Sequence, residues 1–131
     1  MEFNRLIPEL TVSDLEKSKH FYVDLLGFCV EYERKEDKFA FLSLEGVQFM
    51  LEQWHEDGWN VGELTHPFGR GVNFSIEVDD INGIYNAVQS RRYPLYRPLM
   101  VNRYESNGDW IEQKEFLIQD PDGYLLRFTQ E

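Results

Sequence analysis

Leu6-Ile7-Pro8-Glu9-Leu10-Thr11-Val12-Ser13-Asp14-Leu15-Glu16 (residues 6–16) joins an alternating segment to a helix start. Successive strand side chains point to opposite faces. Leu6, Pro8, Leu10 and Val12 therefore share one apolar side, and Ile7, Glu9 and Thr11 share a mixed one. Proline cannot donate to a ladder, so Pro8 predicts an edge strand or a pairing partner outside the sheet. Ser13, with Glu16 three residues on, has the form of a capping box, which predicts Ser13 as the helix N-cap. Leu15, Phe21, Tyr22, Leu25 and Leu26 then form a helical apolar stripe, and Gly27 ends it.

Strands are predicted next over Cys29–Arg34, Phe39–Leu44 and Val47–Trp54, with Lys35–Lys38 as a charged connection and Glu45-Gly46 as a two-residue hairpin turn. In the third of these, Val47, Phe49 and Leu51 share one face, and Gln48, Met50, Glu52 and Trp54 the other. His55 to Gly71 carries Gly58, Gly62, Pro67, Gly69 and Gly71 and reads as a long loop.

The plan then repeats. Val72, Phe74, Ile76 and Val78 alternate with Asn73, Ser75 and Glu77. Asp79-Asp80 opens a helix carrying Ile81, Ile84, Tyr85 and Val88, and Arg91–Pro98 breaks it. Strands follow near Leu99–Tyr104, Trp110–Gln119 and Tyr124–Thr129, with Asp120-Pro121-Asp122-Gly123 as a turn. The repeat predicts an α+β domain over residues 1–131, built from two βαβββ modules (about 5–54 and 71–130) joined by a linker at 55–70. A curved mixed sheet would carry its helices on the outer face and leave the mixed face free for function.

The chain of 131 residues, 42% of them hydrophobic, can bury a core without a disulfide. Its single cysteine, Cys29, follows the apolar run Leu25-Leu26-Gly27-Phe28 and is expected to be a buried small hydrophobe. No basic region followed by an apolar one marks a signal peptide, and no apolar run is long enough to span a membrane, so a cytoplasmic location is the expectation. Net charge is −11, from 24 acidic and 13 basic residues, which disfavours nucleic acid and favours cationic ligands.

Pro8 to Ser18, Phe21-Tyr22, Leu25-Leu26-Gly27-Phe28 and Phe116 to Tyr124 together resemble the vicinal-oxygen-chelate superfamily of glyoxalase I, extradiol dioxygenases and bleomycin resistance proteins. Enzymes of that superfamily hold a divalent metal with four side chains, typically His and Glu, on the mixed face. The resemblance puts those positions at Ile7, Glu52, Asn73 and Arg127. Isoleucine cannot ligate, arginine is a cation, asparagine is a weak ligand, and one glutamate cannot hold a transition metal. His20, His55 and His66 match none of the four. No metal and no cofactor are therefore expected. This departure resembles the bleomycin resistance branch, as do Ile7-Pro8-Glu9-Leu10-Thr11, Glu115-Phe116 and Arg127-Phe128-Thr129. Members of that branch are acidic homodimers that sequester the drug without modifying it. Their proline-bearing N-terminal strand is exchanged between subunits, and Pro8 fits that pattern.

A cleft for such a drug, with its cationic tails and planar rings, needs aromatic faces and carboxylates. Candidate ligand-binding residues are Tyr32, Phe39, Glu52, Trp54, Trp59, Phe68, Asn73, Asp109, Trp110, Glu112 and Arg127. Trp110 is expected to face the cleft beside Asp109 and Glu112. Tyr32 and Phe39 can also be ordinary strand packing. Glu52 has three readings: a leftover ligand position, a cation-binding carboxylate, or a partner of Arg127. Functionally, the resemblance implies sequestration of a bleomycin-type small molecule, with no nucleic-acid or membrane partner. Its alternatives are a metal-dependent lyase or dioxygenase and a small-molecule sensor.

Overall fold

Asp14, one residue beyond the expected Ser13, caps the first helix. Its carboxylate accepts from the backbone N–H of Glu16 at 3.0 Å and of Lys17 at 3.2 Å. A carboxylate suits the positive helix end better than a hydroxyl. Helix α1 spans Leu15–Lys19 and continues as a π-helical stretch over His20–Leu25, where a uniform α-helix was expected. The wider turn brings consecutive residues closer in angle. Neighbours Phe21 and Tyr22 are both buried.

The protein is described over residues 1–131 by a computed structural model, which forms two compact units, Met1–His66 and Pro67–Glu131. In the first unit, β1 (Glu9–Val12), β2 (Cys29–Arg34), β3 (Phe39–Leu44) and β4 (Val47–Gln53) make one sheet in the order β1-β4-β3-β2. Only β1 and β4 run parallel. Strand β1 is shorter than expected, and Leu6 lies outside it at 83% exposure. Pro8 just precedes this edge strand, and its carbonyl accepts from Met50 N–H at 2.9 Å. A residue with no N–H is tolerated there because no ladder donor is missed.

Leu10, Val12, Ala40, Leu42, Phe49 and Leu51 meet the apolar stripe of the helical segment. The Glu45-Gly46 turn has positive φ at both residues, +47° and +86°, the primed geometry that suits the twist of a hairpin. Cys29 departs from expectation: it is exposed. The apolar run ends at Phe28, and Cys29 opens edge strand β2, where burial falls away.

Ser18 is wholly buried, and its hydroxyl has no hydrogen-bond partner. Ser18→Ala is expected to stabilise the protein by about 1 kcal/mol, through relief of the stranded hydroxyl and better helix propensity. A lower urea midpoint in the variant would contradict this.

In the second unit, β5 (Asn73–Glu77), β6 (Arg97–Ser106), β7 (Asp109–Gln119) and β8 (Leu125–Gln130) are ordered β5-β8-β7-β6. Helix α2 (Ile81–Ser90) is capped by Asp80, which accepts from Gly83 N–H at 3.1 Å. Phe116 stacks on Phe128 at 5.3 Å at the centre of this core. The Asp-Pro-Asp-Gly turn works through buried Asp120, whose carboxylate accepts from Asp122 N–H at 3.0 Å and Tyr124 N–H at 2.9 Å. Gly123 sits at φ +99°, and a Cβ there would come within 2.5 Å of Pro67. Strand β8 pairs with β7 only from Lys114 to Gln119, so the rest of the β6–β7 hairpin projects as a two-stranded arm.

Candidate functional site

In the first unit, the sheet face away from the helical segment carries two cross-strand rows. Register aligns Arg34, Phe39, Glu52 and Thr11 in one, and Tyr32, Phe41, Met50 and Glu9 in the next. The first row runs from Arg34 and Phe39 to Glu52 and Thr11, and the second from Tyr32 and Phe41 through Met50 to Glu9. Tyr32 stacks on Phe41 at 5.2 Å with 13° between the planes, and lies 5.9 Å from Phe39. The Arg34 guanidinium sits 4.0 Å from the Phe39 ring centre, a cation–π contact. Phe3 meets Phe41 edge-on at 5.4 Å. The segment bearing it is tied down by Asn4, whose backbone N–H donates to Gln48 Oε1 at 2.7 Å and whose amide donates to the Gly46 carbonyl at 2.8 Å.

The acidic end holds Glu9 and Glu52. Glu52 Oε1 lies 3.1 Å from His55 Nε2. Partial burial, and then the nearby Glu52 charge, push the Glu9 carboxyl above the usual carboxylate range, while Arg34 pulls it back. Beside this end is an open cavity of about 440 Å³ whose lining includes Lys38, Glu52, Gln53, Trp54 and His55. Trp54 is 55% exposed and its ring is available to a ligand.

Tyr32, Phe39, Glu52 and Trp54 thus come together in one region of the first unit. Trp59 is 93% exposed in the segment after β4, next to Asn60, whose side-chain oxygen accepts from the Thr11 hydroxyl at 2.7 Å. Phe68 packs edge-on against Tyr124 at 6.0 Å, a packing role at the Asp120–Gly123 turn. Asn73 and Arg127 share the open face of the second sheet, because Ser75 is the register partner of Arg127. The β6–β7 pairing is regular from Met100 to Ser106, so Trp110 and Glu112 take the face of Phe116 and Ile118, opposite Leu117 and Arg127. They lie on the projecting arm with Asp109. There Trp110 is 73% exposed, and Glu112 pairs with Arg103 at 3.2 Å.

Glu9, Arg34, Phe41 and Phe3 were not singled out from the sequence. Alternation already placed Glu9 on the mixed face and Phe41 on the side of Phe39. Phe3 gave no signal, since only the folded chain brings it to Phe41.

The donor set does not fit a resident divalent metal. Of Ile7, Glu52, Asn73 and Arg127, only Glu52 is an anionic ligand, and the guanidinium repels a cation. No three His, Cys, Asp or Glu side chains converge in a metal-binding group. No helix is long and apolar enough to cross a membrane.

Two four-stranded mixed sheets, each backed by a helical segment, with ligand-capable open faces, define a class, and comparison with known proteins places the chain within it. Residues 4–128 match the model of the Glyoxalase/Bleomycin resistance protein/Dioxygenase superfamily, and the chain belongs to that family. A bleomycin resistance protein of Geobacillus stearothermophilus is 29% identical over 133 residues, covering 95% of each chain. A lactoylglutathione lyase of Haemophilus influenzae is 30% identical over 125 residues, 92% of this chain and 87% of the lyase. Among solved structures, TioX from Micromonospora sp. ML1 has a TM-score of 0.74 at 17% identity and 98% coverage of both chains, a likeness of fold alone.

Proposed function

We propose that this protein binds and sequesters a cationic aromatic small molecule of the bleomycin type without transforming it, as a cytoplasmic homodimer. The observation that carries this reading is the first unit's open face, where two carboxylates, Glu9 and Glu52, share the sheet face of the partly exposed Tyr32, and where Glu52 and Trp54 line one cavity. Carboxylates offset a ligand's positive charge, and the exposed rings of Tyr32 and Trp54 offer surface on which its planar parts can stack, while Phe39 and Phe41 are buried beneath Arg34, Tyr32 and Phe3 and support them from below. Trp59 supplies further ring surface. The net charge of −11 raises the local concentration of a cation, and the similarity to bleomycin resistance proteins points the same way.

The test is titration with bleomycin, metal-free and copper-loaded, followed by tryptophan fluorescence and calorimetric heat. The expected result is saturable binding of one ligand per chain, weakened by added salt and by Trp54→Ala, with the drug recovered unchanged. No binding at high micromolar drug would sink the bleomycin reading. The similarity to a lactoylglutathione lyase supplies the competing reading, a metal-dependent reaction. Stoichiometric zinc, iron, manganese or nickel surviving mild chelation would favour that reaction over sequestration.

A further inference from the structure

The open face of the second unit holds a cation that the fold leaves unused. Arg127 lies mid-strand in β8, opposite Ser75 of β5 on one side and Leu117 of β7 on the other. Its Nε is shut off from solvent and meets no acceptor. Within the second unit Arg103 forms an ion pair with Glu112, and Arg127 takes no part in it. Glu77 and Glu115 stand one register step away, both opposite Thr129, and neither bonds it. A buried guanidinium N–H without an acceptor is costly, and such a group is retained where something else supplies the acceptor.

The neighbours indicate what that acceptor is. Asn73 and Ser75 share the face on β5, exposed and with no side-chain hydrogen bond inside the protein. Leu117 and Leu125, both half-buried, flank Arg127 on β7 and along β8. A planar fork of donors beside an amide, a hydroxyl and two leucines suits a flat oxyanion on an apolar body.

We propose that this face is a binding site for the carboxylate of a small organic acid, held by the Arg127 guanidinium, with Asn73 and Ser75 donating to the same oxygens and Leu117 and Leu125 contacting the apolar part. The proposal departs from the sequence expectation that Asn73 and Arg127 line a cation-binding cleft, and it uses no residue of the first unit's open face.

The test titrates benzoate, acetate and inorganic phosphate into the 15N-labelled full chain and follows the arginine Nε–Hε resonances with the backbone amides of Asn73 and Ser75. Benzoate is expected to shift one arginine side-chain signal and both amides saturably. Acetate should bind more weakly for lack of apolar contact, and phosphate weakest. Arg127→Gln should weaken benzoate by at least roughly tenfold. Ser75→Ala, at an exposed position that leaves the core untouched, should weaken it severalfold and serves as the second variant if Arg127→Gln does not fold. Tighter binding of phosphate than of either carboxylate would overturn the assignment. So would shifts spread evenly over all arginines, or shifts that persist in Arg127→Gln or are unchanged in Ser75→Ala. Because no drug enters this experiment, failure of the bleomycin titration leaves its outcome unaffected.

Discussion

Tyr22→Ala is expected to lower the unfolding free energy by about 3–5 kcal/mol, the usual cost of truncating a fully buried aromatic residue. Tyr22 has no exposed surface, and its ring meets Phe21 at 5.0 Å, Phe28 at 5.6 Å and Phe49 at 6.2 Å. It therefore joins the π-helical stretch, the chain after it and β4. Removing the ring opens a void among three aromatic groups held by three different segments, and none of these can close it without dragging a strand or a helix. Against a typical domain stability of roughly 5–15 kcal/mol, that loss takes a large share. Tyr85→Ala is the control. Its ring also packs on a core phenylalanine, Phe116, at 5.3 Å, but it is half-buried on α2 and should cost less. Urea unfolding followed by circular dichroism reads both. A loss below about 1 kcal/mol for Tyr22→Ala would mean that the first core does not depend on this ring.

Residues around Tyr22 also show how much of the fold is legible in sequence. Period-2 alternation and helical stripes are imposed by burial, which acts on many residues at once, so the strand–helix–strand order and the Glu45-Gly46 turn could be read directly. The errors fall where a single local contact decides. Asp14 outcompetes Ser13 for the helix cap because its carboxylate reaches two N–H groups. Cys29 is exposed because the apolar run stops one residue earlier, at an edge. The site was legible in part for the same reason. Alternation gave the face of Glu52, but the alignment of Phe41 and Glu9 in one row depends on register between strands far apart in sequence. The cover from Phe3 depends on the path of a segment with no pattern of its own.

Replacing both acidic groups, Glu9→Gln with Glu52→Gln, is expected to weaken binding of a bleomycin-type cation by roughly a hundredfold, about tenfold for each charge removed. The fold should respond in the opposite sense. Glu9 has its carboxyl pKa raised above the ordinary 4.5 by partial burial and by Glu52, so its ionised form is less favourable in the folded chain than in the unfolded one. Well above the folded pKa this costs stability. As pH falls through that value the folded chain takes up the proton first and the cost is relieved, fully so below the unfolded value. Glu9→Gln alone should therefore raise the melting temperature slightly near neutral pH, and the gain should vanish toward pH 4. Water screens much of the effect at this partly exposed position, so a few tenths of a kcal/mol is the scale. Loss of affinity together with a gain in stability is the mark of charges held close for a ligand. If the carboxylates were structural, with Glu52 there to hold His55, removing them would lower the melting temperature and leave affinity alone. Calorimetric titration and thermal melts of the parent chain and both variants across this pH range separate the two cases, because the binding reading requires affinity and stability to move in opposite directions.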